Sequence, residues 1–171
     1  HELATLVQRH RAYQALMLAG RKEAEAPRDA ARQAITLGIV EFDALDKEHA
    51  SLGLGAAFKP LRDELARLIG PSWSGDAARS IADHAALVTK IHDLTSLAAE
   101  KSGLLLDPEA ASFLLMDISV DRLAGLSEAF SRLRALASAA AGRGEWSAAE
   151  STELAAMKAV LIELAGRTEL F

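Results

Sequence analysis

The chain has 171 residues, is 50% hydrophobic and 25% charged, and carries a formal net charge of −5. About a fifth of it is alanine, and alanine plus leucine outnumber valine, isoleucine and threonine by more than three to one. With only 5% aromatic residues, that balance excludes a sheet protein, which draws on β-branched and aromatic side chains, and the acidic charge argues against a nucleic-acid partner, which calls for a basic stripe.

Six helices are predicted in chain order. The first carries Leu3, Leu6, His10, Tyr13 and Met17 at 3–4 spacing and ends at Gly20. The second starts at Pro27, where a missing N–H costs nothing, and shows a seam of Ala31, Ile35, Gly38, Phe42, Leu45, His49 and Leu52. A short third helix holds Phe58, Leu61, Leu65 and Leu68 and stops at Gly70-Pro71. Ser72 and Ser74 are candidate caps for the fourth, whose stripe is Ile81, His84, Val88, Ile91, Thr95 and Ala98. Asp107-Pro108-Glu109 opens the fifth, with Asp as cap, Pro in the first turn and Glu at the positive end of the dipole. This helix runs to about Ala141, a length of roughly 50 Å. Ser147-Ala148-Ala149-Glu150 is a capping box for the sixth, along which Leu154, Met157, Leu161, Leu164 and Thr168 recur.

The fold class expected is all-α: one domain over residues 1–171, an elongated antiparallel bundle with four-helix-bundle-like packing. A helix of roughly 50 Å does not fit a compact globule whose radius of gyration would be about 16 Å. Helical stripes reach both ends of the chain, and His1 is not an initiator Met. The expectation is therefore a fragment tethered at one end of the bundle, for instance between two membrane spans.

Signals of catalysis are poor. Gly53-Leu54-Gly55 completes no phosphate loop, no serine sits in a G-x-S-x-G elbow, and there is no H-E-x-x-H. A di-iron bundle needs two Glu-x-x-His pairs, and Asp46-Lys47-Glu48-His49 is a single approximation. No catalytic residue, metal or cofactor is expected. His49 and His84 are expected as hydrogen-bonded groups on apolar seams, with His92 on the surface. Trp73 and Trp146, in the turns before the fourth and sixth helices, are expected to staple the bundle ends. Asp117 and Asp121 are four apart and share a helical face, with Arg122 beside it and Met116, Val120 and Leu123 forming the apolar face. His10 and Arg11 sit among Leu6, Val7 and Tyr13 in the first helix. His10, Arg11, Asp117, Asp121 and Arg122 are thus either register-setting interhelical salt bridges or a ligand pocket shared by the first and fifth helices.

The stretch Ser102-Gly103-Leu104-Leu105-Leu106-Asp107-Pro108-Glu109, then Ser112-Phe113-Leu114-Leu115-Met116-Asp117, Val120 and Arg122-Leu123, resembles a block found in the all-helical extracytoplasmic sensor domains of bacterial sensor histidine kinases and methyl-accepting chemoreceptors. Gln8-Arg9-His10-Arg11 and Leu18-Ala19-Gly20 are similar to a segment of that family's first helix. Ala12, Phe113-Leu114 and Ala124 depart from its Gly, Tyr pair and Pro. The resemblance implies a periplasmic domain of an inner-membrane receptor, flanked by transmembrane helices and acting as a homodimer. Its partner would be a small-molecule ligand or a periplasmic protein. Binding would displace one helix against another and pass to a kinase core or, alternatively, a chemotaxis signalling domain. A different reading, a cytoplasmic phosphotransfer or dimerisation bundle, rests on His92-Asp93-Leu94-Thr95, faintly similar to a phospho-acceptor stretch.

Overall fold

A computed structural model gives the fold over residues 2–104 and 110–168, without the side chains of Ala110, Asp121, Leu164, Arg167 and Thr168. The architecture is all-helical: α1 (Glu2–Leu18), α2 (Glu25–Glu48), α3 (Gly55–Ile69), α4 (Ala77–Lys101), α5 (Ala110–Asp117), α6 (Leu123–Arg143) and α7 (Ala148–Thr168). A π-helical turn, Ile118–Arg122, joins α5 to α6 without a break, so 110–143 is one continuous rod. Chain direction alternates from helix to helix, as the antiparallel expectation requires. Asp43 of α2 pairs with Arg62 of α3, Glu64 of α3 with Lys90 of α4, and Arg132 of α6 with Glu153 of α7.

Local chemistry accounts for most boundaries. Gly20, Gly53, Gly103 and Gly144 all have positive φ and close the helical segments before them. Ser147 and Glu150 form the expected reciprocal box, with Ser147 N–H donating to Glu150 Oε2 at 2.9 Å and Glu150 N–H to Ser147 Oγ at 3.2 Å. The cap of α4 is Asp76, which accepts from Arg79 N–H at 2.8 Å. It takes the place expected of Ser72 and Ser74, because Asp76 immediately precedes the first turn of α4 while the serines lie further back. Helix α2 begins at Glu25, and Pro27 falls within its first turn. The expected start at Asp107-Pro108-Glu109 lies outside the described residues.

Helix α1 is the hub, packing against α2, α4 and α6. Two apolar clusters form around it. The larger joins Ala4 and Val7 of α1 with Ile35 of α2, Phe58, Leu61, Leu65 and Leu68 of α3, and Leu87, Val88, Ile91 and Leu94 of α4. The smaller joins Ala15 of α1 with Ile81 of α4, Ala135, Leu136 and Ala139 of α6, and Met157 of α7. The accessible surface, 9891 Å², exceeds by about a fifth the roughly 8,100 Å² of a compact chain of this mass, in keeping with an extended bundle. No helix among the described residues is long and apolar enough to cross a membrane.

The seam predicted on α2 is buried only in its first half. Ala31 and Ile35 are buried, whereas Leu45 is 54% exposed and His49 is also exposed, against the expectation of a core histidine. Leu3 and Leu6 of α1 meet α2 at Gly38, so the last turns of α2 extend past the described part of α1, with α3 beside them. Trp73 behaves as expected: its indole N–H donates to Asp83 at 3.0 Å and its ring packs on the larger cluster. Trp146 is exposed.

Two helical glycines mark opposite packing situations. A Cβ on Gly142 would lie 2.5 Å from the Cβ of Ala19, whereas one on Gly38 would meet Leu3 and Leu6 at ordinary contact distances of 3.4 and 3.7 Å. Gly142→Ala is therefore expected to lower stability by about 1–2 kcal/mol through overpacking, and Gly38→Ala to raise it by up to about 1 kcal/mol by favouring the helix. Chemical denaturation of both variants checks this, and effects of the same sign would contradict the α1–α6 contact.

Candidate functional site

The two apolar clusters are separated by a polar layer. Along α1 the order is Ala4 and Val7, then Gln8, His10 and Arg11, then Ala15, all buried. Along α4, running the other way, it is Ile81, then His84, then Leu87 and Val88, with Ser80 completing the layer. Helix α6 contributes Glu128. The layer thus lies where α1, α4 and α6 converge.

Its main bond is Arg11 to Glu128. Arg11 is fully buried and Glu128 is 15% exposed. The pair is bidentate, Nη1 to Oε1 at 2.6 Å and Nη2 to Oε2 at 3.0 Å, the geometry for which the planar guanidinium is suited. Gln8 donates to the same Oε2 at 3.0 Å and accepts from Ser127 Oγ at 3.4 Å. Both carboxylate oxygens are satisfied, which a buried charge requires.

The second bond joins two histidines. His10 Nδ1 and His84 Nε2 are 2.8 Å apart and the rings stack at 5.1 Å. His84 Nδ1 lies 2.6 Å from the Ser80 carbonyl oxygen. A carbonyl can only accept, so His84 carries its proton on Nδ1 and presents Nε2 as an acceptor; His10 must then donate from Nδ1. Both rings are neutral in this arrangement. Burial lowers His84 to a pKa of about 3, with the charge of His10 and of Arg11 adding to it against the opposing Ser80 bond. Burial likewise lowers His10 to about 4, reinforced by Arg28 and Arg32 of α2 and opposed by Asp29.

The expected site residues divide into two groups. His10 and Arg11 belong to the polar layer, but their partners are His84 and Glu128. Asp117 pairs with Arg122 instead, at 2.7 Å between Oδ2 and Nε. These residues are five apart. An α-helix would turn them away from each other, and the intervening π-turn brings them together. The same turn interrupts the 3.6-residue period on which the shared face of Asp117 and Asp121 was based. The side chain of Asp121 lies outside the described residues. Along the face expected to be apolar, Met116 is buried and Val120 half-buried, while Leu123 is 51% exposed. His92 is half-buried.

His84 is the buried, hydrogen-bonded group expected on the seam of its helix, and Glu128 is the site residue to which the sequence assigned no role. A signal for Glu128 exists: Ala124, Ser131, Ala135 and Ala139 form a buried stripe on α6 with Glu128 in step with it. A carboxylate on such a stripe needs a cation opposite. Which cation it finds depends on topology, since Arg11 is 117 residues away. Among the described residues no group of three or more His, Asp or Glu side chains converges as a metal site would.

No protein-family model, curated protein or solved structure matches the chain.

Removing one partner of the buried pair strands the other. Arg11→Met is expected to cost about 3–5 kcal/mol, and Arg11→Met with Glu128→Leu to recover most of that loss. A double-mutant cycle by urea denaturation measures the coupling, and single losses below about 1 kcal/mol would show the pair to be dispensable. The histidines give a pH signature. Their folded pKa values lie below the ordinary 6.5, so the unfolded chain binds protons first as pH falls. The histidines' contribution to stability is full above pH 6.5, declines toward about 4 and about 3, and changes no further below. In His84→Gln, which cannot titrate, the decline between pH 6.5 and about 5 should shrink, a window above most carboxylate titration. An unchanged slope would contradict the neutral pair.

Proposed function

We propose that the chain is a signal-sensing module: the extracytoplasmic domain of a transmembrane receptor of the sensor histidine kinase class, with a chemoreceptor parent as the alternative. The observation that carries this reading is the polar layer dividing the two apolar cores. The buried ties of that layer hold α1 in one register against α4 and α6, and a stimulus that loosens them frees the helices to take another arrangement. Helix α1 meets α6 through Ala15, Ala135 and Ala139 and through the close approach of Ala19 to Gly142. Contacts between small residues offer little resistance to a shift of about 1–2 Å, the displacement such receptors need.

Two further features support it. The π-turn at Ile118–Arg122 lies within the segment that resembles the sensor family, and π-turns recur at functional sites. The other resembling segment, Gln8 to Arg11, supplies the α1 side of the polar layer. A homodimer belongs to the proposal, and the exposed Leu37 and Val40 on α2 offer apolar surface for it. Whatever the stimulus, it can shift the receptor only by its difference in affinity for the two states.

Topology and output test the reading in the full-length protein. An alkaline phosphatase reporter placed in the Gly20–Ala24 connector should be active, since that enzyme matures outside the cytoplasm; an inactive fusion, stably made, would overturn the location. Replacing the polar tie with Arg11→Met and Glu128→Leu together should change the basal output of the attached signalling domain while the helical fold persists. Unaltered basal output and unaltered response would count against the junction as the signalling element.

A further inference from the structure

Beside the polar layer, on the outer surface of the α1–α6 contact, lies a groove of about 340 Å³ lined by Thr5, Gln8 and Arg9 of α1 and by Ser127, Phe130, Ser131 and Arg134 of α6. The spacings are helical: positions 5, 8 and 9 share one face of α1, and 127, 130, 131 and 134 share one face of α6. The volume is at the small end of the range for ligand pockets, about 300–1,000 Å³.

Charge distinguishes this groove. Arg11, Arg21, Arg28, Arg32, Arg62, Arg79, Arg122, Arg132 and Arg143 each have an acidic partner. Arg9 and Arg134 have none among the described residues, and they stand on opposite walls of this one groove. Glu128, the nearest carboxylate in the layer beneath, is already neutralised by bidentate Arg11. Ser131, 93% buried, has a hydroxyl without a partner, and it lines the same groove as the two arginines. Phe130 is 60% exposed there, so an aromatic face stands beside the two cations. The larger cavity between α3 and α4 also holds an unpaired arginine, Arg67, but Glu64 and Asp83 line it too and oppose an anion.

We infer that this groove is a binding site for a small organic anion: a carboxylate or phosphate held between the Arg9 and Arg134 guanidiniums, its apolar or aromatic body against Phe130. Guanidinium forks match such groups bidentately, the Ser131 hydroxyl supplies a further donor, and the Phe130 ring favours an aryl group by stacking. A ligand seated there bridges α1 and α6 and touches Gln8, which is bonded to Glu128. It would therefore tighten the contact at which the receptor reading places displacement. Binding itself does not depend on that reading.

The test is calorimetric titration of the 171-residue chain at low salt with benzoate, phenyl phosphate and inorganic phosphate, and with benzyl alcohol as the uncharged control. Binding of an aryl anion is expected, weakened at least about tenfold by either Arg9→Gln or Arg134→Gln, less by Ser131→Ala, and reduced by added salt. Phe130→Ala should weaken the aryl anions but spare inorganic phosphate. All of these side chains except Ser131 are exposed, so the variants should fold, and circular dichroism confirms it. Failure of both aryl anions to bind would overturn the inference, as would equal affinity for benzyl alcohol or a loss in Arg67→Gln matching that in Arg9→Gln. These results leave the topology and output tests untouched, so the two readings fail separately.

Discussion

The Arg11–Glu128 pair is the constraint to which the remaining geometry answers. A guanidinium with no exposed surface can stay charged only where a carboxylate meets it in good geometry. That requirement fixes the height of α1 against α6 to within a hydrogen-bond length, in a contact otherwise made largely by alanines that would fit in several registers. The pair adds little to stability compared with apolar residues of the same size. What it contributes is selection of one register. Gln8 then has a single place to donate, Ala15 falls opposite the Ala135–Ala139 stripe, and Ala19 comes against Gly142. The histidine pair performs the same service between α1 and α4, where a directional chain from His10 through His84 to the Ser80 carbonyl admits one arrangement of protons.

The layer also explains why the core is two clusters. Polar groups on neighbouring turns of α1 and α4 interrupt the apolar stripes at the same height, because the helices are antiparallel and the groups must meet one another. The larger cluster is built from Leu, Ile, Val and Phe and is closed by α3. The smaller one is dominated by alanine and is closed by α7 through Met157. Side chains with many rotamers and large apolar areas interlock; alanines do not. The two halves therefore differ in how firmly they hold their helices, the α6–α7 half resting on shallow contacts and exposed ion pairs such as Arg132–Glu153.

How much of this could be read from the residues depends on whether the information is local. Helix ends were legible because Gly20, Gly103, Gly144 and the Ser147–Glu150 box act on their own neighbours. The stripes of α3 and α4 were legible because a 3.6-residue period is a property of the segment itself. The π-turn was not, since it breaks the period from which faces are inferred. The exposure of Leu45 and His49 was hidden for a different reason: their seam is regular, but what covers it depends on the relative lengths and offset of α1 and α2. Arg11 was picked out as a charge on an apolar stripe. Its partner was not, because a stripe states that a complementary charge is needed and leaves the topology to choose it.

That division bears on where function resides in such a bundle. Positions whose role is local, such as caps and apolar stripes, specify that helices form and pack, and many sequences do this equally well. Positions legible only in three dimensions—Glu128 and the unpaired Arg9 and Arg134—relate α1 to α6, and all lie within a few turns of one another. A cation left without a partner beside a buried pair whose charges are satisfied keeps its field available to an external anion. The unpaired guanidiniums and the buried pair are thus complementary features of the same contact. One fixes how α1 and α6 meet, and the other leaves that meeting open to influence from outside.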